Sequence, residues 1–149
     1  MIHAAPQAST VAQDAFPQPE PIEMGRPFWD SLRDGSLTFQ RCDACCEGWL
    51  PARAHCPGCL SPQWTRERAS GRAKLISWVV YRIAYHPAFE SRLPYTVAVV
   101  ELEEGPRMIS NVVHADPQML RIDQPLSLVI EQEAGVCVPR FLPASGPGV

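Results

Sequence analysis

The sequence predicts a mainly β chain: a short N-terminal helix, a metal-nucleated ribbon and a five-stranded barrel. Three observations predict it. Five short stretches rich in Val, Ile, Leu, Trp and Tyr follow one another after residue 68. Five of the six cysteines precede them, within residues 40–66, and four of these form two Cys-x-x-Cys pairs. Sixteen prolines in 149 residues are about twice the usual ~5%, which argues against long helices.

The elements are read in order. Residues 1–26 carry Pro6, Pro17, Pro19 and Pro21 among Ala, Gln, Ser and Thr, a composition that predicts a flexible or extended segment. Pro27 opens a helix of about two turns; Pro suits a first turn, Phe28, Trp29 and Leu32 share one face, and Gly35 is the C-terminal stop. Leu37 to Arg41 reads as the strand into the ribbon, and Trp49 to Pro51 as its hairpin arm. The barrel strands are Lys74 to Ala84, Tyr95 to Leu102, Met108 to Val113, Leu126 to Glu131 and Val136 to Leu142. Glu103-Glu104-Gly105-Pro106 is a turn between two of them. Asp116 caps a short helix with Pro117 at its first position. Five strands with a small helix between the third and fourth is the order of an OB-fold barrel. The expected units are therefore 1–26 flexible, 27–67 helix and ribbon, 68–143 barrel and 144–149 a frayed tail.

Cys42-Asp43-Ala44-Cys45 and Cys56-Pro57-Gly58-Cys59 carry the chemistry. Each pair lets two thiolates turn toward one point, and two such knuckles on a hairpin make a tetrahedral S4 site suited to Zn²⁺. With no open position the ion is structural, and in so small a unit its binding supplies much of the folding free energy. Three alternatives stay open: a redox pair, a four-thiolate iron centre, and replacement of Cys45 by Cys46 or of Cys56 by His55 as ligand. Cys46 stands where such knuckles prefer glycine, so its backbone is expected to be left-handed and strained.

Composition excludes several function classes. A formal net charge of −3 gives no electrostatic footprint for nucleic acid. No run of eighteen apolar residues predicts a membrane span. Residues 1–21 have no basic start and no apolar core of a secretory signal, so the cysteines are expected in a reducing cytoplasm. The sequence has no Gly-rich phosphate loop, no Gly-x-Ser-x-Gly and no carboxylate pair at a telling spacing. Cys137 reads as a small buried residue, His86 as an ordinary loop histidine, and Glu101, Glu103 and Glu104 as the solvated end of a hairpin. Trp78, Tyr81 and Tyr85 are the candidate stacking platforms if the barrel bound single-stranded nucleic acid.

The full order runs Phe28-Trp29, strand, CxxC, Leu50-Pro51-Ala52-Arg53, CPxC, Trp64, Ser70-Gly71-Arg72, Pro94-Tyr95, then Val99 to Gly105 with Pro106-Arg107, Asp116-Pro117 and Pro139 to Pro143. It resembles the DUF35 family, small OB-fold proteins with an N-terminal rubredoxin-like zinc ribbon, over about residues 27–143. Family members usually carry glycine where Cys46, Leu60 and Ala73 stand and proline where Ala52 stands. The resemblance implies a non-catalytic accessory subunit that bridges thiolase-like, acyl-CoA-using enzymes and helps hold acyl-CoA, with no nucleic acid or membrane partner. Under that reading Cys42, Cys45, Cys56 and Cys59 bind one structural zinc. Arg53, Arg72, Arg82 and Arg107 are candidates to meet CoA phosphates, and Phe28, Trp29 and Leu32 are candidates for a docking face. The competing readings are a nucleic-acid-binding OB module and a free-standing rubredoxin-like metal protein.

Overall fold

The computed structural model describes residues 16–20 and 22–144. A 3-10 turn, Glu23–Gly25, leads into helix α1, Arg26–Arg33. The helix thus begins before the expected Pro27, which sits one position inside its first turn, where its missing N–H costs nothing. The helix ends as expected near Gly35, which adopts φ 78°. The Ser36 N–H bonds Ser31 O at 2.8 Å and the Gly35 N–H bonds Leu32 O at 3.0 Å. This is a Schellman-type cap that satisfies the last carbonyls.

The ribbon is a three-stranded antiparallel sheet of β1 (Thr38–Cys42), β2 (Gly48–Trp49) and β3 (Trp64–Arg68), in the order β2-β1-β3. β3 was not foreseen. Its sequence, Trp-Thr-Arg-Glu-Arg, has no apolar alternation; pairing with all five residues of β1 holds it extended.

The barrel strands are β4 (Arg72–Tyr81), β5 (Tyr95–Leu102), β6 (Arg107–Asn111), β7 (Pro125–Glu133) and β8 (Val136–Pro143). Their order is β6-β5-β4-β7-β8, and a parallel bridge from Val112 to Phe141 brings the two ends together. That is the connectivity of an OB barrel, as expected. A register shift between Leu75 and Ser77 supplies the bend that closure needs. Tyr95–Leu102, read as a nearly continuous apolar run, alternates strictly: Thr96, Ala98, Val100 and Leu102 are buried and their neighbours are not. The expected short helix at Asp116 is a single 3-10 turn, Pro117–Met119, with the Asp116 carboxylate accepting the Gln118 N–H at 2.9 Å. The loop between β4 and β5 contains a further 3-10 turn, Pro87–Arg92.

One core serves the helix, the ribbon and the barrel. Leu32 of α1, Leu37 and Phe39 of the ribbon, and Leu75, Val100, Leu126 and Phe141 of the barrel share one buried cluster. Of the expected flexible start, residues 1–15 and 21 lie outside the described residues. Phe16 packs its ring on Phe89 at 5.4 Å, and the Gln18 side chain donates to Ala134 O at 3.3 Å. Of the expected tail, 145–149 lie outside the described residues, while the Ala144 N–H reaches Pro125 O at 3.0 Å.

Candidate functional site

The two Cys-x-x-Cys knuckles meet at the free end of the ribbon. β1 delivers Cys42 at its last residue, and the turn after it delivers Cys45. The loop between β2 and β3 delivers Cys56 and Cys59. Their four Sγ atoms lie within 4.8 Å of one another, with Cys42 to Cys59 and Cys45 to Cys56 each at 3.5 Å. Four sulfurs placed ~2.3 Å from one ion in a tetrahedron lie about 3.8 Å apart. The set therefore fits a single tetrahedral ion. Backbone N–H groups point at the sulfurs: Ala44 to Cys42 at 3.4 Å and Gly58 to Cys56 at 3.3 Å. Such bonds stabilise thiolate charge. The Cys45 N–H, with the Ala44 N–H, pulls the Cys42 thiol down to about 6. The Glu47 N–H acts the same way on Cys45, yet the neighbouring sulfurs of Cys59 and Cys56 push that thiol up to about 12. Four thiols at one point do not all ionise without a cation, and the cluster could hold one.

The alternatives for the ligands are resolved by placement. Cys46 and His55 are exposed and do not belong to the converging set. Cys46 has φ 64° and Leu60, at the equivalent place in the second knuckle, has φ 63°. The knuckle N–H bonds, Cys46 to Cys42 O at 3.1 Å and Leu60 to Cys56 O at 3.0 Å, require that left-handed turn.

Residues around the centre hold it in place. Gln40 is buried and its amide bonds both backbone groups of Arg53, the N–H at 2.8 Å and the carbonyl at 2.9 Å. Trp49 and Trp64 pack on Cys42 and Cys56. Arg41 donates to Glu67 at 2.9 Å, to Cys46 O at 2.9 Å and to Glu104 O at 3.2 Å. The last bond ties ribbon to barrel. The Ser70 N–H gives Glu104 Oε1 a bond of 2.5 Å, and Pro106 is buried against Gly48. Glu103 takes the Arg72 guanidinium and Glu101 takes Arg107 and Lys74. The turn expected to be a solvated hairpin end is instead the joint between the two units through Glu104, whose carbonyl and carboxylate accept from Arg41 and Ser70, while Glu101 and Glu103 pair within the barrel. Gln40 and Arg41 gave no sequence signal; Gly48, a glycine where only a hydrogen fits, was the one available hint.

The four candidate CoA arginines are not brought together as a set, although Arg72 and Arg107 lie near the same end of the β4–β5–β6 sheet. Arg72 and Arg82 flank opposite ends of a ten-residue strand region, about 30 Å apart at the usual rise per residue. Arg72 and Arg107 are paired with Glu103 and Glu101, whereas the side chains of Arg53 and Arg82 are exposed. The candidate docking face packs on the chain's own core in part. Leu32 is 1% exposed, and Phe28 and Trp29 are half-buried on the same core. A two-turn helix has one apolar stripe, and α1 spends it on β1 and β8. Of the candidate stacking platforms, Trp78 turns inward onto the core, Tyr81 stacks on Tyr95 at 5.2 Å, and Tyr85, 82% exposed, meets Tyr81 edge-on at 6.1 Å. His86 is no idle loop residue: its Nδ1 accepts the Ala88 N–H at 3.2 Å and caps the 3-10 turn. His114 bonds Glu131 at 3.1 Å, and Cys137 packs against the core.

An apolar stripe lies outside the barrel instead. Val79 faces Val97 across β4 and β5, and Val99 faces Ile109 across β5 and β6. Val79 and Ile109 are 56% and 73% exposed, and Ile83 continues the stripe beyond the strand.

Comparison with known proteins sets these features in context. The profile of the ChsH2 C-terminal OB-fold domain matches residues 66–131. A probable enoyl-CoA hydratase alpha subunit of Thermomonospora curvata is 36% identical over 130 residues, 85% of this chain, and the chain spans 40% of that relative's length. A DUF35 domain-containing scaffold protein of Methanothermobacter thermautotrophicus is 33% identical over 98 residues, 65% of this chain and 73% of the relative. In the solved Ltp2-ChsH2(DUF35) aldolase, one chain superposes with a TM-score of 0.76 at 32% identity. That match covers 86% of this chain and 100% of the other.

Proposed function

Because the chain belongs to the DUF35 family of OB-fold proteins, we propose that it is a non-catalytic, zinc-bearing scaffold subunit. Its partner is a thiolase-fold enzyme that works on acyl-CoA and supplies the reacting groups. The observation that carries the reading is the likeness, over the whole of the matched chain, to the DUF35 component of an aldolase complex. One feature of this chain supports it. The exposed stripe of Val79, Ile83 and Ile109 is the kind of apolar patch that marks protein interfaces. The S4 donor set is one that zinc favours in structural sites, and its free thiols fit a reducing cytoplasm.

The test is purification of the tagged full chain from its native cells, followed by mass spectrometry and gel filtration. The expected result is a thiolase-fold enzyme at fixed stoichiometry, together with loss of its acyl-CoA reaction when the chain is stripped away. A chain that emerges alone and monomeric, or a partner whose reaction is unchanged without it, defeats the reading. Replacing Val79 and Ile109 with Glu should leave the fold intact and weaken capture of the partner at least tenfold, since each buries a β-branched side chain worth about 1.5–3 kcal/mol.

A further inference from the structure

Residues 16–20 bridge two loops of the barrel. The first is the connection between β4 and β5, residues 82–94. Phe16 packs on Phe89 of that loop at 5.4 Å. Arg92 of the same loop lies over both rings, its guanidinium carbon 4.9 Å from the centre of Phe16 and 5.4 Å from that of Phe89. The second is the β7–β8 turn, where the Gln18 side chain donates to Ala134 O at 3.3 Å. Arg92 also pairs with Glu133 at the end of β7, so the N-terminal stretch and the two loops close into one ring of contacts. Beyond that pair, the hydrogen bonds of the β4–β5 loop among the described residues are local. The Ala88 and Phe89 N–H groups bond His86, and the Leu93 N–H bonds Glu90 O. In an OB barrel these two loops flank the face that takes ligands.

The β4–β5 loop also carries the end of the exposed stripe. Tyr81 and Tyr95 pair across β4 and β5 two residues along from Val79 and Val97, so all four share one face of the sheet. Phe89 packs on Tyr95 at 6.1 Å, which joins that face to Phe16. Ile83 and Tyr85 of the loop are 67% and 82% exposed. We propose that residues 16–20 are a clasp that holds the β4–β5 loop in one conformation and so fixes the pose of Ile83 and Tyr85. A loop with few bonds beyond itself opens at little cost. The aromatic pair, the cation–π contact and the Gln18 bond tie it from outside. A fixed pose lowers the ordering cost of any surface that docks there. The clasp stands apart from the scaffold reading, and its test needs no partner.

The experiment is hydrogen–deuterium exchange of the metal-loaded full chain, read by peptide-resolved mass spectrometry. Phe16→Ala should speed exchange of residues 83–93 about five- to thirtyfold, the factor for losing one aromatic pair and one cation–π contact. Phe16→Tyr keeps the ring and should keep the protection. In both variants the ribbon strands β1 and β3 should exchange as in the unaltered chain. Loop exchange that Phe16→Ala leaves unchanged overturns the clasp. So does an acceleration spread equally over the ribbon, which marks a loss of global stability, or one as large in Phe16→Tyr as in Phe16→Ala.

Discussion

Cys46 occupies a backbone position that L-residues avoid. Its φ of 64° and that of Leu60, 63°, each cost about 1–2 kcal/mol relative to glycine. Part of that cost is offset because glycine loses more chain entropy on folding. Cys46→Gly and Leu60→Gly should each stabilise the metal-loaded protein by about 1 kcal/mol, read as a higher midpoint in denaturant with unchanged slope. The neighbouring cysteines behave oppositely. Cys56 is fully buried beside Trp49, and Cys56→Ser should abolish stoichiometric metal, measured by elemental analysis, whereas Cys46→Ser should retain it. These residues were the most legible part of the sequence. A Cys-x-x-Cys knuckle is local, so spacing alone specifies which sulfurs converge and where the chain turns left-handed. Gln40 was illegible for the converse reason. Its role depends on two backbone groups of Arg53, brought to it by a fold that no pattern around residue 40 announces.

Between the elements, the joint formed by the β5–β6 turn decides how ribbon and barrel are held. A Cβ at Gly48 would lie 2.8 Å from Pro106 Cγ, and a proline ring cannot swing away. Gly48→Ala should therefore destabilise by about 1–3 kcal/mol, the usual range for overpacking, visible in thermal unfolding. Leu32→Ala should cost about 2–5 kcal/mol by leaving a cavity under α1; a surface docking residue would cost almost nothing, so calorimetry separates the two roles. The helix was legible as an element, because Pro27, the Phe28–Leu32 face and Gly35 are local signals. Which way its apolar face turned was not legible, since one stripe fits a partner and a core equally well. β3 escaped for a related reason: its extended form comes from its neighbour and not from its own composition.

For the molecule as a whole, acid is the informative perturbation. The Arg107 and Lys74 side chains hold the Glu101 carboxyl below its usual 4.5, and Arg72 does the same for Glu103. Burial pushes Glu131 up, but Arg140 and His114 outweigh it and the net direction is down. A depressed carboxyl contributes stability that is full above about 4.5 and lost as pH falls through its folded value. Stability should thus decline below about pH 4.5, and unfolding scans paired with metal analysis will separate this loss from release of the ion. Barrel order was largely legible, because alternation and turn residues locate five strands and the OB connectivity follows. The single core was not, since nothing along the chain says that Leu32 and Phe39 pack in one cluster with Phe141. That shared core has a consequence for biosynthesis. On the ribosome the knuckles have all their ligands once Cys59 has emerged, and the ribbon sheet is complete once Arg68 has. α1, however, packs on β8, the last of the five barrel strands in chain order. The nascent chain must carry an early cysteine tip beside a greasy helix that finds its seat only once β8 has emerged, and a chaperone would meet it there.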